Sequence, residues 1–94
     1  VLIEVETHLG SLEEIIRELH TKRQAFVDAF PVPLSQPIHL VLALPATRHH
    51  RAIVQAHPDL IRAAFPMPSL QVSRALADAS RPWPGDGLLW IRRL

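Results

Sequence analysis

Apolar positions change period several times along the chain, and each change marks an element. Val1, Ile3 and Val5 alternate with Leu2, Glu4 and Glu6, which predicts a strand over Val1–Thr7. Ser11 followed three residues later by Glu14 is a capping box, the side-chain pair that satisfies the free N–H groups of a helix start. Leu12, Ile15, Ile16, Leu19, Phe26, Val27 and Phe30 then recur at helical spacing, which predicts a helix from about residue 12 to 30, ended by Pro31 and Pro33. Between Pro37 and Pro45 the run IHLVLAL is almost continuously apolar, as a strand covered on both faces must be. Thr47 can cap a helix RHHRAIVQA, which Pro58 interrupts before a short helix Asp59–Phe65. Pro66-Met67-Pro68 must be extended, and Ser69 can cap a helix carrying Val72, Ala75, Leu76 and Ala79. The Pro- and Gly-rich stretch Ser80–Gly87 reads as a loop and Leu88–Ile91 as a last strand.

The predicted order is β-α-β-α-α-α-β. Strands alternating with helices imply an α/β layer, with the first two strands parallel through the crossover helix. Ninety-four residues support one hydrophobic core. The absence of Cys excludes disulfides and thiolate metal sites. No apolar run approaches the ~18 residues of a membrane span, and no signal peptide is evident, so the expectation is a soluble, cytoplasmic chain without a membrane partner. The opening residues already read as strand, so the chain is expected to be a piece of a longer one.

Net charge is +1, too small to announce a nucleic-acid binder. Residues 1–47 hold six acids against three bases, whereas residues 48–94 hold seven Arg against three acids. Solvated Arg on helix surfaces accounts for this; an anionic partner is the sharper alternative.

Three constellations carry candidate chemistry. Glu4 and Glu6 leave one face of the first strand, which fits an exposed sheet face or, alternatively, a metal or acid–base site, since Mg²⁺ takes hard oxygen ligands. Thr47-Arg48-His49-His50-Arg51 opens a helix directly after a buried strand. Arg48, His49 and Arg51 are therefore candidates for a phosphate or DNA contact, against capping and surface hydrogen bonds. Arg23 falls within the apolar stripe, where an unpaired guanidinium is costly. A structural ion pair with Glu4 or Glu6 is expected. The six His do not suggest zinc: His49 and His50 are adjacent and diverge by about 100° on a helix. Trp83 and Trp90 read as core or loop anchors.

A strand reading VLIEVET, a long helix containing KRQ, an apolar strand leading to TRHHR, the FPMP segment and the PGDGLLWI ending together resemble a family of actinobacterial helix-turn-helix transcriptional regulators. Their C-terminal domain has a restriction-endonuclease-like, PD-(D/E)XK, fold. The resemblance implies that this chain is the back half of that domain, a partial three-layer sandwich, with the helix-turn-helix and first strands upstream. It implies DNA binding through the upstream domain, a regulatory or structural role, and homo-oligomerisation. It places Glu4 at the (D/E) position and Glu6 where the motif has Lys; a carboxylate there repels phosphate, so the nuclease site reads as degenerate. The motif's Asp has no candidate here. Lys22 could serve as a migrated cation. It stands about 16 Å along the helix and Glu4 about 10 Å back along the strand, a gap of about 6 Å, comparable to a Lys side chain. The bland alternative is snorkelling, its stem on the core and its ammonium in water. The implied function is thus non-catalytic and without a cofactor; the alternative is an Mg²⁺-dependent endonuclease active in the full-length protein, using Glu4, Glu6 and Lys22.

Overall fold

The computed structural model describes residues 2–7, 10–29, 38–78, 80, 83 and 85–92. Within them the order is β1 (Leu2–Val5), α1 (Leu12–Asp28), β2 (Leu40–Pro45), α2 (Arg48–Ala56), α3 (Pro58–Ala64), α4 (Ser69–Ala77) and β3 (Gly87–Ile91). This is the expected α/β sequence of elements. Val1, Phe30, Pro31, Pro33, Pro37, Ala79, Pro82 and Pro84, which also entered the expectations, lie outside the described residues.

The three strands form one parallel sheet in the order β1-β2-β3. As expected, β1 and β2 are parallel neighbours joined through α1; Leu2 pairs with Leu40 and Glu4 with Leu42. On the other side Leu42 pairs with Leu88 and Leu44 with Trp90. Side chains alternate across a strand, so Leu40, Leu42 and Leu44 face one way and Val41 and Ala43 the other. Residues 40 to 44 are all buried, at 0–1 % exposure, which explains the unbroken apolar run.

Two cores sandwich β2. On the first face Leu12, Ile15 and Leu19 of α1 meet Leu40, Leu42, Leu44 and Leu88, with Phe65 and the inner sides of α2 and α3 closing the layer. On the second face Val72 of α4 and Met67 cover Val41, flanked by Trp83 and Leu89. The chain moves from the first face to the second at Pro66–Pro68. There Met67 pairs in parallel with Gly87, donating to the Asp86 carbonyl at 3.0 Å and accepting from Leu88 N–H at 3.3 Å.

Ser11 caps α1 by accepting from Glu14 N–H at 3.3 Å, and Thr47 caps α2 by accepting from His50 N–H at 3.1 Å. Ser69 does not cap α4. Its hydroxyl accepts instead from Trp90 N–H at 3.0 Å, and Pro68 holds the cap position without a side-chain bond. The short third helix begins at Pro58, whose missing N–H costs nothing in a first turn, and not at Asp59.

The apolar stripe of α1 is buried only over its first half. Leu12, Ile15 and Leu19 are buried, whereas Phe26 and Val27 are 40 % and 41 % exposed. Length accounts for this. The 17 residues of α1 span about 25 Å, and the four of β1 about 13 Å. The helix outruns the sheet.

Candidate functional site

On β1 the exposed-face expectation for the glutamates is corrected. Leu2, Glu4 and Glu6 are half-buried, and Ile3 and Val5 are the exposed side chains. Glu4 lies on the face carrying α1, in register with Leu42. What makes a carboxylate tolerable there is Lys22, whose Nζ donates to Glu4 Oε1 at 2.7 Å. The two side chains join Leu2, Leu19, Phe26 and Leu40 around a cavity of about 240 Å³. The Lys22 side chain is 56 % exposed while its Nζ meets Glu4, so the snorkelling and pairing readings are compatible. The hydrogen bond to Glu4 raises the Lys22 pKa above its ordinary 10.5, opposed by slight desolvation and reinforced by the charges of Glu4, Glu6 and Glu18.

Arg23 is a structural ion pair, but its partner is neither glutamate. Its Nη1 donates to Asp86 Oδ2 at 3.0 Å, to Asp86 Oδ1 at 3.2 Å and to the Ile38 carbonyl at 3.2 Å; its Nη2 lies 2.9 Å from His20 Nδ1. Asp86 Oδ1 also accepts from Leu40 N–H at 2.9 Å, with His39 Nδ1 3.7 Å away. The physical reason is position. One turn beyond Leu19 the helix reaches the end of the sheet where β2 and β3 begin, and there it meets a carboxylate and a carbonyl where the preceding turns met Leu side chains. The cluster fastens α1 to β2 and β3 at that end.

At the opposite end of the strands, α2 starts. His50 is buried at 5 % exposure, its Nδ1 2.9 Å from the Pro45 carbonyl. A carbonyl can only accept, so Nδ1 carries the proton. The His49 ring lies tilted against His50 at 5.8 Å between ring centroids, and both Arg48 and His49 are exposed. Arg51 turns away from them and lays its guanidinium over the Trp90 ring, 4.6 Å from the centroid. The three residues expected to share an anion contact are therefore divided: Arg48 and His49 face solvent, while Arg51 belongs to a groove along β3. From sequence Trp90 reads as a core or loop anchor in preference to a base-stacking platform, and Arg92 is not singled out; the aromatic and the basic residue are visible there, their meeting with α2 is not.

Among the described residues no three His, Asp or Glu side chains converge as metal ligands, and no helix is long and apolar enough to cross a membrane. At Glu4, Lys22 Nζ engages Oε1 and leaves Oε2 without that contact. Comparison with family models, curated proteins and solved structures gives no match to this chain.

Proposed function

We propose that this chain is a non-catalytic regulatory or structural part of a bacterial helix-turn-helix transcriptional regulator, built on a degenerate restriction-endonuclease-like domain and reaching DNA through an upstream module. The parallel β1-α1-β2 unit with Glu4 on its strand supports the fold-level part of this reading. One observation carries the non-catalytic part: Lys22 Nζ sits 2.7 Å from Glu4 Oε1 and neutralises the carboxylate that the motif would use, while Glu6 stands where the motif has its cation. A closed ion pair with a second carboxylate beside it neither attracts a phosphodiester nor leaves a free ligand set. Oligomerisation and cytoplasmic location belong to the same reading.

The same contact favours a second reading, an Mg²⁺-dependent endonuclease in the full-length protein, because a Lys on the helix after the motif strand does reach Glu4. Incubating supercoiled plasmid with the full-length protein and with its Glu4→Ala variant, in Mg²⁺ or Mn²⁺, separates the two. We expect no cleavage by either. Nicking by the unmodified protein and not by the variant refutes the non-catalytic reading.

A further inference from the structure

Two adjoining cavities run along the outer side of β3. The first, about 400 Å³, lies between α2, α3 and the strand, with an apolar lining that includes Val54, Ile61, Phe65 and Leu88. The second, about 370 Å³, is lined by Arg51, Ser73, Arg92 and the exposed Leu70. Ser69 and Trp90 line both, so the two form one groove with an apolar half and a basic half. Each half is of the size at which small-ligand sites begin.

Among the described residues the charges in the basic half have no acidic partner. Lys22, Arg23 and Arg62 each have an acidic partner. Arg51 and Arg92 have none within ion-pair distance among the described residues, and no acidic side chain lines either cavity. Arg51 is nevertheless held in place. The guanidinium lies over the Trp90 ring and pairs with no acid among the described residues, and a guanidinium fork free of an acid grips a carboxylate through two parallel hydrogen bonds. Ser69 accepts from Trp90 N–H with one lone pair and keeps its hydroxyl proton to donate.

We propose that this groove is a binding site for a small amphipathic carboxylate, its apolar body along Phe65, Leu88 and Trp90 and its head between Arg51 and Arg92. Charge complementarity selects the head and the apolar lining selects the body. An extended polyanion would leave the apolar half unfilled, and a neutral lipid would leave two cations facing it. This site is at the far side of the sheet from Glu4 and Lys22, and its existence does not depend on the regulatory reading.

The chain contains two Trp, so its indole N–H groups give two NMR cross-peaks, assigned with a Trp83→Phe variant. Trp83 Nε1 is bonded to the Gly85 carbonyl at 2.8 Å beside the other core and serves as internal control. Titration with decanoate below its micelle-forming range is expected to shift the Trp90 peak saturably and leave Trp83 in place. Acetate should not shift it, and 1-decanol should bind at least about tenfold more weakly, the order of one charge-assisted hydrogen bond. Arg51→Gln and Arg92→Gln should each weaken decanoate binding by about tenfold. Arg92 is exposed at the end of β3, so its variant keeps the test valid should Arg51→Gln unfold. No saturable shift, equal binding of decanol, or unchanged affinity in the folded variants overturns the proposal. So does displacement of decanoate by a duplex oligonucleotide at equal phosphate concentration, which would assign the groove to nucleic acid.

Discussion

Replacing Asp86 with Ala tests the carboxylate on which Arg23 and the Leu40 N–H converge. The substitution removes the acceptor for Leu40 N–H and the carboxylate facing Arg23. Leu40 is 1 % exposed, so its N–H loses a partner with no water to replace it, a cost of about 1–3 kcal/mol. Arg23 keeps its bond to the Ile38 carbonyl and, at 26 % side-chain exposure, a route to water, which limits its share to about 1 kcal/mol. The expected loss is therefore about 2–4 kcal/mol. Asp86→Asn keeps an oxygen for Leu40 and gives up only the charge, so its cost should be about half as large. Arg23→Leu should be milder than Arg23→Ala, since the stem also fills space. Urea titrations with unchanged m-values give these differences directly, and the double variant with Arg23→Leu isolates the pairwise term, expected at about 1 kcal/mol. For a domain of this size a 3 kcal/mol loss corresponds to a fall of roughly 12–24 °C in melting midpoint. An Asp86→Ala variant within about 0.5 kcal/mol of the parent, or a cycle with no coupling, would refute the assignment of Asp86 as the fastening point of α1.

Leu42 is fully buried between Glu4 and Leu88 in register, and Leu42→Ala should cost about 3–5 kcal/mol in the same titration, whereas Leu70→Ala, at 61 % exposure, should change little. A Cβ on Gly87 would stand 2.5 Å from Val72 Cγ2 and 2.9 Å from the Met67 carbonyl oxygen. Gly87→Ala should therefore destabilise by about 1–3 kcal/mol, and Val72→Ala in the same chain should recover part of that loss despite being destabilising alone. The raised Lys22 pKa has a definite sign: its contribution to stability is fully present below pH 10.5 and is lost as pH rises through the folded-state value. Stability measured from pH 9 to 12 should fall more steeply for the parent than for Lys22→Gln; equal slopes would contradict the Glu4 contact.

The order of elements was legible because period alone distinguishes the pieces. The five buried residues Leu40–Leu44 could form only a two-sided strand, and Leu12, Ile15 and Leu19 only a helix face. Register and partners were less accessible. Asp86 lies 63 residues from Arg23 in a stretch that composition marks only as a turn, so local reasoning assigned Arg23 to the nearer glutamates. The exposure of Phe26 and Val27 follows from α1 outrunning β1, a mismatch of lengths that no window on the helix reveals. Lys22 was readable to the extent that simple rise-per-residue geometry brought it within reach of Glu4. The β3 groove was not, because Arg51, Ser69 and Trp90 come from three separate elements, and what joins them is the crossing at Pro66–Pro68.

That crossing also makes the two borders of the sheet unequal. Met67 occupies the outer side of β3, and Pro66 and Pro68 on either side of it have no N–H to offer a newcomer. The outer side of β1 pairs with no strand among the described residues, and Ile3 and Val5 beside it are 46 % and 53 % exposed. Polymerisation by strand addition needs two open ends per unit, and among the described residues this sheet leaves one strand edge unpaired. Whatever strand pairs with β1, from elsewhere in a longer chain or from a second copy, strand addition at this sheet has one direction open to it, where a symmetric three-stranded sheet would have two.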